Sequence, residues 1–448
     1  MTTTGESFES VVDEYRQLSK AMIGEEVHEG YPLDARLHPG VTQPYDASGP
    51  PYQSPFVLTE ANVKAYARNI GDDNPLYTDP EYAKTGPYGC LVAPGPALLL
   101  SRNSMWHGAR VERPGGWPLA NFHSGSAWEF FDVLRVGTGF KTSSTAREMI
   151  EKPGSRGNLF VFVTDVYYWD MRGDLLGKNY GTLIMIPREE MGTSRTMSVD
   201  RLGERMLYDR QAATYDKEKV EEIIDLMANS RPRGKEILYW EDVEVGDKLT
   251  PVALPPFTDQ DMGAANVLPT GMRAYNFEAG HHLRKQGIHG AYGHPHPLTR
   301  WPWGGGDEHG DALMAAYRGI PLPFDHGRHR SQIAQQLMSN WMGDHGFIRR
   351  LQMALRRPMY YSDTSTYTGE VVKKFTEVQG GEEGKGGKST YYAVGIRYEC
   401  RNQDDLLQVQ GTSAVYLPSR EGGNVELPIP HPARPPFVPY ETFYRDWF

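Results

Sequence analysis

The densest run of side chains able to do chemistry is Gly71-Asp72-Asp73-Asn74-Pro75-Leu76-Tyr77-Thr78-Asp79. A carboxylate and an amide two residues apart, just before a proline, suit a tight turn in which the side chains bond the backbone. The same Asp72, held on a loop, could also move protons. Tyr77 donates a hydrogen bond at neutral pH but is a poor base, because a phenol titrates near pH 10. A second copy of the pattern lies downstream. Tyr77-Thr78-Asp79, Ala83 and Gly86 find counterparts in His309-Gly310-Asp311, Ala315 and Gly319, and Ala93-Pro94-Gly95 corresponds to Asp325-His326-Gly327. His309 therefore stands where the first copy has Tyr77. Five residues before it is Gly304 rather than an acid, and the nearest carboxylate is Asp307. A shortened loop would let Asp307 pair with His309, and such a pair can activate water. The competing expectation for Gly304–His309 is a solvated glycine-rich loop.

Other clusters carry weaker signals. Nine of the 14 histidines fall between His281 and His345. Their spacing matches neither a helical His-x-x-x-His with a Glu base nor a cysteine-containing set, so no metal is expected. Asn340-Trp341-Met342-Gly343-Asp344 follows an apolar helix. Trp341 is expected in the core or lining an acyl pocket, and Asp344 is expected to help end the helix. Arg328, Arg330, Arg349, Arg350, Arg356 and Arg357 read as a solvated face from which a few could meet phosphates. There is no Gly-x-x-x-x-Gly-Lys, no strand followed by Gly-x-Gly-x-x-Gly and no Gly-x-Ser-x-Gly. Nucleotide hydrolysis, nicotinamide chemistry and the serine-hydrolase elbow are disfavoured, and no cofactor is expected.

The elements that must position these residues are legible in part. Residues 7–25 predict an amphipathic helix, and 29–55 a Pro/Gly/Tyr-rich loop. Thr59 is a candidate N-cap for a helix carrying Val63, Tyr66 and Ala67. Pro94 to Trp106 predicts a buried helix, apolar on most faces. From 120 to 187 the period becomes two, with a hairpin from Phe160–Trp169 through Met171-Arg172-Gly173-Asp174 to Lys178–Ile186. Lys217–Met227 predicts a connector helix. In the second half Arg328–Arg357 reads as one long helix, and Thr390–Glu399 and Leu406–Leu417 repeat the closing hairpin. Gly380–Gly387 is expected to be a mobile tip without chemistry. The repeat implies an internal duplication: a first domain over 1–190, a connector over 191–235, and a second domain over 236–448 with an insertion at about 262–310.

Composition narrows the class. The 448 residues are 39% hydrophobic with 9 Trp, 26 Tyr and 16 Phe, enough for real cores. The 48 Gly and 33 Pro follow no three-residue period, which excludes collagen. A net charge of -10 without a basic block argues against nucleic-acid and anionic-membrane binding. Two cysteines, Cys90 and Cys400, make neither a disulfide framework nor a zinc set. No apolar run is long enough for a membrane span, and a cytoplasmic protein is expected.

The Gly71–Asp79 segment resembles the helix-loop signature of the MaoC-like hydratases and dehydratases, the R-specific enoyl-CoA hydratases. Their pattern reads Gly-Asp-x-Asn-Pro-Leu-His-x-Asp, and this chain departs from it only at Tyr77. The helical lead-in, Ala93-Pro94-Gly95, Gly137 and the closing hairpin also fit. The resemblance extends more weakly over both halves. It implies an α+β fold of two hot-dog domains, each an antiparallel sheet wrapped around a central helix. It implies water addition to an enoyl thioester, or its removal from a 3-hydroxyacyl thioester, with acyl-CoA as substrate and a homo-oligomeric state. His309 with Asp307, or Asp72 with Tyr77, would be catalytic; Asn74 and Trp341 would meet substrate; and the Gly95 or Gly327 amide would hold the enolate oxygen. The alternatives are a hot-dog acyl-CoA thioesterase and a catalytically inactive acyl-binding subunit.

Overall fold

The computed structural model describes residues 7–29, 57–100, 117–154, 157–187, 210–261, 307–317, 320–380, 384–385, 387–432 and 434–448. Nearly all of the expected 29–55 loop, most of the 262–310 insertion, and Gly304, Gly319 and His281 to His296 lie outside the described residues. So does much of the Gly380–Gly387 hairpin tip.

Local chemistry places the helices. α1 (Phe8–Ala21) is capped by the Ser7 side chain. α2 (Glu60–Asn69) starts at Thr59 with a reciprocal box: the Thr59 hydroxyl accepts the Asn62 amide, and the Asn62 side chain accepts the Thr59 amide. Val63, Tyr66 and Ala67 form its buried face, as their spacing predicts. Two short helices follow, α3 (Pro75–Thr78) and α4 (Pro80–Lys84), each with proline in its first turn. α5 (Lys217–Asn229) is capped by Asp216. α6 (Ala312–Tyr317) and α7 (Arg328–Met342) belong to the second half, and α8 (Tyr440–Phe443) lies near the C-terminus. The expected buried helix after Pro94 is a 3-10 segment, Gly95–Leu100, in which Pro96 to Leu100 are buried.

The strands of the first half are β1 (Glu26–Glu29), β2 (Val92–Ala93), β3 (Leu119–Phe130), β4 (Leu134–Arg135), β5 (Phe140–Gly154), β6 (Gly157–Asp170) and β7 (Leu175–Pro187). Those of the second half are β8 (Val252–Leu254), β9 (Phe347–Leu355), β10 (Ser365–Gln379), β11 (Gly384–Lys385), β12 (Ser389–Arg401), β13 (Leu407–Leu417) and β14 (His431–Pro432). Ten of them form one antiparallel sheet in the order β1-β5-β6-β7-β3-β9-β13-β12-β10-β8. The order reads the same way outward from the centre, so each half contributes five strands in equivalent places. β3 and β9 join the halves, with Gly125 opposite Ala354 and Glu129 opposite Arg350. The Gly95–Leu100 segment and α7 pack on the same side, in one core with Trp128, Tyr168, Leu351 and Val394. The architecture is two hot-dog halves sharing one sheet.

Arg328–Arg357 is not one helix. α7 stops at Met342 because Gly343 takes a φ of 73°, which favours glycine at a helix end. The chain then enters β9, where Phe347 to Ala354 are all buried. A strand buried on both faces loses the alternation that would reveal it. Most of the described arginines there are not a solvated face either. Arg349 pairs with Glu129 at 3.0 Å across the seam, Arg350 pairs with Glu377, and Arg330 pairs with Asp325.

The opposite side of the first-half sheet is covered by the C-terminal segment. The Tyr167 hydroxyl and the Lys178 ammonium donate to the carbonyls of Pro435 and Pro436, at 2.8 and 3.0 Å. Phe443 and Trp447 pack on Ala127, Val161, Val163 and Tyr180. The Thr412 hydroxyl ties the Trp447 carbonyl to the second half.

Candidate active site

The two copies of the motif fold alike. Asp79 caps α4 by accepting the Glu81 amide at 2.9 Å, and Asp311 caps α6 by accepting the Leu313 amide at 2.8 Å. The Ala83 amide bonds the Asp79 carbonyl and the Ala315 amide the Asp311 carbonyl; both alanines are fully buried. Downstream, the Ala97 amide reaches the Pro94 carbonyl and the His329 amide the His326 carbonyl, each at 2.9 Å. The offset that relates Tyr77 to His309 also relates Asp79 to Asp311, Ala83 to Ala315 and Gly95 to Gly327.

In the first copy, the Asp72 Oδ1 accepts the Asn74 amide at 3.0 Å, and the Asn74 Oδ1 accepts the Leu76 amide at 2.9 Å. These are turn bonds, as the residue types predict. They also bury both side chains, each 1% exposed. The Asp72 Oδ2 has no hydrogen-bond partner among the described residues. Burial pushes its carboxyl up to about 7; the Asn74 amide opposes the rise and the Asp73 charge adds to it. Tyr77 is buried too, and burial together with the Asp72 charge holds its hydroxyl far above the ordinary phenol range. That oxygen accepts a hydrogen bond from the Gln335 side chain at 3.2 Å. The next residue on α7, Gln336, donates from its side chain to the Gly71 carbonyl at 3.0 Å. The central helix of the second half thus clamps the loop of the first.

A cavity of about 50 Å³ opens between them. Asn74, Tyr77, Tyr88, Gly95, Phe130 and Asp132 line it from the first half, and Gln335, Ser339, Met342, Asp344, Phe347 and Ile348 from the second. A water's share of liquid is about 30 Å³, so this space suits one or two waters. Asp72 lies behind Asn74 and Tyr77 and is not part of the lining. Trp341 is not part of it either: it is half-buried against the core, its carbonyl accepts the Arg233 side chain at 2.8 Å, and Met342 takes the place at the wall. Gly95 begins its helical segment so close to the neighbouring strand that a Cβ there would lie 2.6 Å from Phe130 Cε1.

Asp344 does more than follow the helix end. It is 2% exposed, its Oδ2 accepts the Tyr82 hydroxyl at 2.8 Å, and its Oδ1 has no partner among the described residues. Burial raises its carboxyl above the usual range, against the pull of the Tyr82 hydrogen bond.

In the second copy, His309 is half-buried at the end of a 3-10 turn, Asp307–His309. Its Nδ1 lies 2.8 Å from the Phe324 carbonyl, and its ring centroid lies 3.8 Å from that of His326 and 4.4 Å from that of Phe324, with both pairs tilted. The Tyr361 hydroxyl donates to the His309 carbonyl. Gly327 precedes α7, and a Cβ there would sit 2.5 Å from the Nδ1 of His123, a residue of β3. His329 follows, 6.0 Å from His326. Among the described residues these histidines make no metal-binding group. Asp325 is not a free base. Burial alone would raise its carboxyl, but the Arg330 guanidinium, at 2.8 Å, outweighs that and holds it below the carboxylate range. The Asp307 side chain lies outside the described features.

Reading the sequence brought His309 and Gly327 to one place, and Asn74, Tyr77 and Gly95 to another. It missed Gln335, His123 and the cavity wall made by Asp344. Gln335 sits on an apolar helix without a motif, and His123 reaches Gly327 only through the seam between the halves.

The model of the FAS1-like, dehydratase domain region matches residues 52–177, which contain the Asp72–Tyr77 loop and Gly95. No curated protein matches the sequence. Among solved structures, one described as a MaoC-like dehydratase is 15% identical, with a TM-score of 0.53, over 89% of this chain and 99% of that one. A putative MaoC domain protein dehydratase from Chloroflexus aurantiacus is 13% identical, with a TM-score of 0.48, over 94% of this chain and 99% of that one. A Mycobacterium tuberculosis protein described as having a double hotdog fold is 13% identical, with a TM-score of 0.46, over 93% and 99%. No helix among the described residues is long and apolar enough to cross a membrane. The chain has the double hot-dog fold of the MaoC-like dehydratase structure, and residues 52–177 of its first half match the model of the FAS1-like dehydratase domain region.

Proposed function

We propose that the chain is a hydro-lyase that adds water to an enoyl thioester or removes it from a 3-hydroxyacyl thioester, with acyl-CoA as the substrate class and His309 as the proton-transfer group. The contact between His309 Nδ1 and the Phe324 carbonyl carries this reading. A carbonyl only accepts, so Nδ1 holds the hydrogen and Nε2 keeps the lone pair in the neutral ring. In the hydration direction Nε2 takes a proton from water as the water oxygen bonds C3. The double-bond electrons move toward the thioester oxygen, and the start of α7 at Gly327 stabilises the enolate. The imidazolium then returns its proton to the α-carbon. The dehydratase-region match and the repeated helix-loop support the same chemistry.

The test is loss of enoyl absorbance over a panel of enoyl-CoA esters. Wild type is expected to turn over at least one of them without releasing free thiol, and His309→Ala to slow it by about 10²–10⁴-fold. Full turnover in His309→Ala would move the reaction elsewhere. Thiol release without loss of the double bond would replace a hydro-lyase by a thioesterase.

A further inference from the structure

A helical turn leaves its last carbonyls without intrahelical partners. His309 ends such a turn, and its carbonyl is taken by the Tyr361 hydroxyl. Burial and the charges of Asp259 and Asp261 hold that phenol above its ordinary range, so it remains a donor. The backbone around Tyr361 also fixes the other anchor of His309. The Tyr361 amide bonds the Pro323 carbonyl at 3.0 Å, and the Asp325 amide bonds the Met359 carbonyl at 2.9 Å. Met359–Tyr361 therefore pairs with the stretch whose Phe324 carbonyl meets His309 Nδ1. One short loop sets both contacts.

That loop is strained and braced. Ser362 adopts a φ of 76°, a region that disfavours a residue with a side chain. Such conformations persist where the surroundings enforce them, and they cluster at functional sites. The Ser362 amide bonds the Phe257 carbonyl at 2.8 Å, and the Phe257 ring meets the Tyr361 ring edge to face at 5.2 Å. The rest of the bracing comes from the connector between the halves. The Ala213 amide donates to the Ser362 hydroxyl at 2.6 Å, and the Tyr215 hydroxyl donates to the Ser362 carbonyl at 2.5 Å. The Arg210 guanidinium pairs with buried Asp363 and, at 2.8 Å, with Asp404. Asp363 in turn accepts the Tyr360 amide at 3.1 Å.

We propose that Tyr361 is a positioning residue for His309, and that the connector, through Arg210 and Tyr215, holds the loop that aims it. The inference rests on the His309 reading above and adds the support which that reading requires. With its carbonyl held by Tyr361 and its Nδ1 by Phe324, the imidazole keeps its hydrogen on Nδ1 and its lone pair on Nε2. Without the hydroxyl the end of the turn is released and the Phe324 contact loosens. The Nε2–H form, which cannot accept a proton at Nε2, then becomes populated.

The experiment uses the full chain labelled with nitrogen-15 histidine, the His309 signals being those lost in His309→Ala. At a pH where the ring is neutral, wild type is expected to carry the hydrogen on Nδ1. Tyr361→Phe should show a mixture of the two ring forms, and should lower kcat about 10-fold with KM changed by less than about twofold on an enoyl-CoA ester that wild type turns over. Tyr215→Phe should move both readouts the same way by a smaller factor. A lower urea midpoint in Tyr361→Phe with ring form and kcat as in wild type overturns the positioning role. If Tyr361→Phe does not fold, Tyr215→Phe decides: wild-type ring form and kcat there overturn the proposal. A wild type inactive on every enoyl ester overturns the reaction class, while the ring-form measurement still decides what Tyr361 does.

Discussion

The two halves hold the same backbone and different chemistry. Both have an aspartate-capped short helix, a fully buried alanine and a glycine opening a buried helix. The first half keeps Asp72 and Asn74 and has a phenol at position 77; the second has an imidazole at the equivalent position 309 and a glycine-rich approach. The environments differ accordingly. Tyr77 is locked against Gln335 in a closed interior, whereas His309 is half-buried with one ring nitrogen assigned to a carbonyl. A backbone scaffold can thus be preserved while the group it presents changes, so the scaffold does not say which copy reacts.

The strongest way to break this contrast is to make the second copy like the first. His309→Tyr should lower kcat/KM by about 10³-fold on a good substrate, a loss typical of removing a general acid–base group. Unchanged kinetics would end the distinction between the copies.

Next in size is a pH effect specific to the first half. The Asp72 carboxyl rises from 3.8 in the open chain to about 7 when folded. Its contribution favours folding below the unfolded value and is lost as pH climbs through the folded one, reaching a cost of up to about 4 kcal/mol. Asp72→Asn should therefore be more stable than wild type at pH 8 and equal to it at pH 4, by urea unfolding at the two pH values. A difference independent of pH would assign the effect to turn geometry instead.

The helix-start glycines give a smaller contrast. Gly95→Ala drives a methyl into the Phe130 ring, which stacks on Trp128 at 5.5 Å, and should cost about 1–3 kcal/mol. Gly327→Ala meets the end of the Leu355 side chain and the His123 ring, which can shift, and should cost less. The reverse order in chemical denaturation would show that Phe130 yields more easily than its packing implies. Smallest is Thr59→Ala, which removes a capping box and should cost about 1 kcal/mol. A thermal shift near zero would mean that tertiary packing alone holds α2.

These contrasts also show what could be read in advance. Thr59 and the paired runs at Phe160 and Thr390 were legible because caps and alternation are local signals. β9 was hidden because both its faces are buried, so its alternation vanished and it merged with α7. Arg349 and Arg350 read as surface for the same reason, although Glu129 and Glu377 pair with them inside. At the site, motif spacing found Asp72, Asn74, Tyr77 and His309. Gln335 and Asp344 act across more than 250 residues of chain, on Tyr77 and on the Tyr82 neighbourhood, and nothing near them in sequence announces that contact. Trp341 packs against the core, one of the two places its residue type suggested, and Met342 takes the cavity wall.

The β3–β9 seam has a consequence beyond holding the halves together. Two identical subunits meeting there would be compelled to carry the same residue at both equivalent places, since any change made in one would appear in the other. Joined in a single polypeptide, the copies are released from that bond of identity: each can drift, specialise or lapse while its neighbour keeps the shared scaffold standing.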